Sequence, residues 1–130
     1  VPLLTYFHGE FSSADASALT EPNSRFTLYQ DGTTTSITLA ATDKVVITDI
    51  DIRVGITGRT VQVYDGANNT VDAGETIHAG TYAASTGHNR VSATPHSCQL
   101  GSYPKVKTSG AGQVDLNIRG YVLSQLSTPA

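Results

Sequence analysis

Within residues 65–75, DGANNTVDAGE, the side chains of Asp65, Asn68, Asn69, Asp72 and Glu75 offer oxygen donors of the kind a hard cation such as calcium takes. The EF-hand spacing is not met. Ala67 stands at a ligand position, Thr70 stands where the sharp turn needs Gly, and Thr76 stands where the bidentate Glu belongs. Turn chemistry at Asp65-Gly66 and at Asp72-Ala73-Gly74 accounts for the same letters. Neither a metal nor any other cofactor is expected.

Other reactive side chains are scattered. His8, His78, His88 and His96 with Cys98 match no zinc spacing, and a His-x-Cys pair on one strand supplies at most two ligands on one side. Ser97 beside His96 lacks the Gly-x-Ser-x-Gly elbow that would present a nucleophile. Gly110-Ala111-Gly112 opens a strand without a third glycine, which fits a tight connection better than a phosphate cradle. Asp49 and Asp51 share a strand face about 7 Å apart, a separation some glycosidases use, but Arg53 follows on that face and neutralises them. No acid, base and nucleophile assemble from these residues, so no enzyme is expected.

The elements that must carry these side chains read as strands. In residues 45–54, VVITDIDIRV, the side chains of Val46, Thr48, Ile50, Ile52 and Val54 alternate with Asp49, Asp51 and Arg53. In residues 114–122, Val114, Leu116, Ile118 and Val122 alternate with Asp115, Asn117, Arg119 and Tyr121. Shorter runs at 25–30, 36–40, 60–64, 76–83, 89–94 and 104–107 are separated by Gly, Asn, Asp and Pro. About eight short strands without a helical stripe predict an all-β, single jelly-roll-like β-sandwich over residues 25–130, with an Ig-like sandwich second.

Composition narrows the partners. Only 15% of residues are charged and the net charge is −3, with Arg25, Arg53, Arg59, Arg90 and Arg119 dispersed, so no nucleic-acid partner is expected. Lys105 and Lys107 read as solvated lysines on one strand face. The absence of a long apolar run predicts no transmembrane helix and no membrane partner. Cys98 is the single cysteine, which precludes an intrachain disulfide.

Residues 1–24 differ in character from the rest of the chain. Leu3, Leu4, Tyr6, Phe7 and Phe11 lie near the start, and a Ser/Ala/Asp stretch succeeds them in which residues 13–19 allow a short helix. Two courses stay open: an edge strand with a covering loop, or an extended N-terminal arm that packs on a neighbour. An apolar tip on a polar tether favours the arm, with Leu3, Leu4, Tyr6, Phe7 and Phe11 as its partner-binding residues.

Over residues 36–123 the phrases KVVITDIDI, VQVYDG, NTVDAGETI, PHSCQLG and PKVKTSGAGQVDLNIRGYVL resemble small jelly-roll decoration, or cement, proteins of tailed bacteriophages. That resemblance implies a structural virion protein on the capsid exterior, associating with itself as a homotrimer and with the major capsid protein through its arm. The alternative expectation is a TNF-like or lectin-like jelly-roll module that recognises glycan or a host surface molecule through loops 65–75 and 84–89. For that role the tyrosines at 6, 29, 64, 82, 103 and 121 look dispersed along the chain.

Overall fold

The computed structural model describes residues 2–13, 24–55, 57–65, 76–85 and 89–125. Alternation of apolar and polar residues produces strands β1 (Pro2–Ser13), β2 (Thr27–Gln30), β3 (Lys44–Val54), β4 (Arg59–Tyr64), β5 (Thr76–Tyr82), β6 (Asn89–Ser97), β7 (Lys105–Thr108) and β8 (Val114–Gln125). They form a five-stranded sheet in the order β2-β1-β8-β3-β6 and a three-stranded sheet in the order β5-β4-β7. Every pairing between strands is antiparallel. The two sheets pack as a β-sandwich, with β8 lying between β1 and β3.

The core lies between the sheets. The larger sheet contributes Phe7, Phe11, Leu28, Val45, Ile47, Ile50, Ile52, Val114, Leu116, Ile118 and Val122, and the smaller one Val61, Val63 and Val106. One corner is closed by a segment that changes sheets. Arg25 bridges Lys105 while Phe26 N–H donates to Pro104 C=O, and then Thr27 to Gln30 pair with β1. Phe26 is fully buried at this corner, its ring 5.9 Å from that of Phe11.

Residues 2–13 correct the expected arm. All of β1 pairs with β8, and Phe7 to Glu10 also pair with β2, so this segment is an interior strand of the larger sheet. The physical reason is its own alternation: Phe7, Gly9 and Phe11 face the core, whereas Tyr6, His8, Glu10 and Ser12 face outward. Residues 14–23, with most of the expected short helix, lie outside the described residues, and Ser13 closes β1.

Strand β3 departs from simple alternation. A bulge between Ile47 and Asp49 inserts Thr48 against β8, and on the β6 side the same step spans Ser92 to His96, so Val45 and Ile47 share the inner face with Ile50, Ile52 and Val54. Val46 instead sits opposite Tyr121, outside the inner core, and Thr48 Oγ1 donates to Arg119 C=O. The expected strand over 36–40 is also replaced. Only Ser36 bridges, to Tyr29, while Ile37 N–H donates to Leu28 C=O and Leu39 N–H to the Tyr103 hydroxyl. A side-chain acceptor thus serves where a ladder would otherwise run.

The two lysines of β7 do not share one environment. Lys107 is exposed, but Lys105 is buried, and loss of water pushes its ammonium pKa below the ordinary lysine value.

Candidate functional site

The outward face of the five-stranded sheet collects the polar and aromatic side chains left over once the apolar positions have turned inward. Register sets their rows. Tyr6 lies across from Tyr121 and then Val46; His8 lies across from Arg119 and then Asp49; Glu10 lies across from Asn117, Asp51 and Arg90. Side chains opposite one another on a sheet face stand about 5 Å apart at Cβ, close enough to act together.

At one end of this face Leu4 and Tyr6 are 44% and 62% exposed. The Tyr6 and Tyr121 rings meet edge to face with centroids 6.3 Å apart. Beside them the His8 ring stacks on Tyr29 at 5.4 Å, and Asp31 sits 3.9 Å from His8 Nδ1 and 3.7 Å from an Arg119 guanidinium nitrogen. These pairs are solvent-exposed and contribute little stability. Their effect is to hold the Arg119 head between two depressions.

The larger depression, about 360 Å³, is lined by Asp49, Ile50, Asp51, Arg90, Asn117 and Arg119. A second, about 250 Å³, is lined by Tyr6, Asp31, Thr48, Arg119 and Tyr121, with Phe7 and Gly120 below. Beyond the first row, Gln113 Nε2 donates to both Ser12 Oγ and Asp115 Oδ1 at 2.9 Å, and Ser12 Oγ donates to the same carboxylate. The face is therefore polar and pre-ordered along most of its length, with an apolar end at Leu4.

The residues singled out in the sequence fall in different places. Phe7 and Phe11 belong to the chain's own core and are not a contact surface; Leu4 and Tyr6 are on the outer face. Leu3 pairs with Ser124 in β1, and its side chain lies outside the described residues. Asp49, Asp51 and Arg53 do share one face, but the cations that register brings across from the carboxylates are Arg119 and Arg90. Of loop 65–75 only Asp65 is described; it is buried and its Oδ2 lies 3.2 Å from His96 Nε2, joining the two sheets. His78 instead bonds the Tyr82 hydroxyl over Gly80 on β5, and burial lowers its pKa. His88 and the middle of loop 84–89 lie outside the described residues. Among the described residues no three His, Cys, Asp or Glu side chains gather to hold a metal ion.

Sequence reasoning missed the sharing of one face by Tyr6, Tyr29 and Tyr121. The parity of Tyr6 against Phe7 was a signal for it, but only the pairing of β1 with β8 places the two ends of the chain together.

Cys98 is 2% exposed, and burial, with the Asp65 charge adding to it, pushes its thiol up to about 12. At pH 8 about one thiol in ten thousand is then ionised, so a disulfide reagent such as DTNB should not react with the native protein. Reaction should appear only on unfolding in guanidinium, read as the absorbance of the released aryl thiolate. Rapid labelling of the folded protein would show that Cys98 is reached from solvent.

No protein-family model matches this chain, and a search of the curated proteins likewise finds none that matches it.

Proposed function

We propose that this protein is a structural virion component: a jelly-roll subunit that associates as a homotrimer on the exterior of a phage capsid and reinforces it by contact with the major capsid protein. The observation that carries the reading is the apolar end of the outer face. Leu4 and Tyr6 present 44% and 62% of their surface to solvent beside Tyr121, and Leu4 lies in register with Leu123. Exposed neighbouring apolar side chains on a sheet that otherwise turns polar residues outward mark a contact surface. The resemblance of the sequence phrases to decoration proteins supports the same reading, and a closed trimer also limits exposure of the sheet edges at β2, β6, β5 and β7.

Attachment is assigned to Leu4 and Tyr6 on β1 in place of a free arm. Light scattering of the purified protein should give three times the chain mass, and sedimentation with purified capsids should carry it down. Leu4→Asp and Tyr6→Asp should each keep the wild-type melting temperature, because both side chains are exposed. Each should weaken capsid binding by about tenfold or more, since a charge in an apolar contact is desolvated without a partner. A monomer at micromolar concentration, or full capsid occupancy by both variants, would overturn the reading.

A further inference from the structure

We propose that the two depressions on the outer face form one binding trench for a short neutral saccharide, lying across β1, β8, β3 and β6. They are joined by Arg119, which lines both. The larger, at about 360 Å³, is within the size range of small-ligand sites, about 300–1,000 Å³, and the second extends it by about 250 Å³.

The chemistry of the lining selects the ligand. Across both depressions Asp31, Asp49 and Asp51 stand against Arg90 and Arg119, so the formal charge of the trench is only −1, too little to hold a polyanion or a polycation. What it presents is a set of planar groups: carboxylates that only accept, guanidinium groups that only donate, and the Asn117 amide that does both. A hydroxyl both donates and accepts, so adjacent hydroxyls on a sugar ring can satisfy a carboxylate and a guanidinium together. Charge-assisted bonds of this type are the stronger class. At the other end the Tyr6 and Tyr121 rings supply apolar surface for the C–H face of a sugar, and Thr48 adds a further hydroxyl. The rows are fixed by strand register, so little ordering is lost on binding. The trench runs from the aromatic pair toward the edge strand β6, which leaves the Arg90 end open.

The test uses the full chain and an immobilised panel of neutral gluco-, galacto-, manno- and N-acetylglucosamine oligomers, with heparin as an anionic control. The protein has no tryptophan, so its emission comes from six tyrosines, of which Tyr6 and Tyr121 line the trench, and titration with any oligomer retained is followed by the change in that emission. Saturable binding to at least one neutral oligomer is expected, weakened about tenfold by Asn117→Ala and by Arg90→Ala. Both side chains are exposed, and both variants should keep the wild-type melting temperature and oligomeric state. Leu4→Asp lies outside the trench and should leave the saccharide titration unchanged, which separates this inference from the capsid contact. No saturable change with any neutral oligomer up to about 10 mM, which excludes any binding stronger than about −2.7 kcal/mol, overturns the proposal. Salt-sensitive binding to heparin alone overturns it in favour of an anion surface, as does neutral-sugar binding that both variants retain.

Discussion

Replacing Gly120 by alanine is expected to cost about 3 kcal/mol or more, a large share of the roughly 5–15 kcal/mol that holds a domain folded. Gly120 lies on β8, the middle strand of the larger sheet, opposite Phe7 on one side and Ile47 on the other. Immediately after Ile47, the bulge at Thr48 bends β3. A Cβ at Gly120 would drive into the Val46 carbonyl oxygen and stand 2.9 Å from its carbon. Both are backbone atoms of a paired strand, so relief requires moving β3 or giving up ladder hydrogen bonds. Gly9 is the informative comparison. Its Cβ would meet Ile118 Cγ1 at 2.6 Å and Leu28 Cδ2 at 2.9 Å, but these are side-chain atoms that can change rotamer. Gly9→Ala should therefore cost less, about 1–3 kcal/mol. Urea denaturation followed by far-UV circular dichroism gives both values; equal costs, or a near-neutral Gly120→Ala, would show that the bulge does not press on β8.

Deletion of residues 1–13 should abolish cooperative folding. The strand lost is interior to the sheet: β8 loses a partner along the whole of β1, and β2 loses the strand that joins it to the sheet. Phe7 and Phe11 leave the core with it, each removal comparable to a Phe→Ala change of about 3–5 kcal/mol. Backbone donors on β8 and β2 are left without partners as well. An external arm predicts the opposite, a truncated protein with an unchanged melting curve, so a single thermal scan decides between them. A synthetic peptide of residues 1–13 added to the truncated chain should restore a cooperative transition by re-forming the strand. If the truncated chain melts like the full one, the placement of β1 within the sheet is wrong and attachment returns to a free arm.

The β-sandwich was legible in the sequence because alternation is local. The run 114–122 states its inner and outer faces residue by residue, and the structure keeps them: Val114, Leu116, Ile118 and Val122 inside, Asp115, Asn117, Arg119 and Tyr121 outside. The same rule misled at β3, where the bulge at Thr48 shifts the phase and moves Val46 from the expected core face to the Tyr121 side. No letter marks that insertion, because it is set by register with β8, a strand far along the chain. The alternation of Phe7 and Phe11 with Tyr6, His8 and Glu10 was likewise present in the sequence. It could not say whether those rings were covered by this chain or by another, since the strand that covers them is at the far end of the chain. The candidate face shows the same division. Sequence supplied its carboxylates, cations and tyrosines and the side of each strand they occupy. Only the sheet order, which sets β8 between β1 and β3, brought Tyr6 to Tyr121 and Arg119 to Asp49, because strand pairing between distant segments is decided by which apolar faces can be buried together.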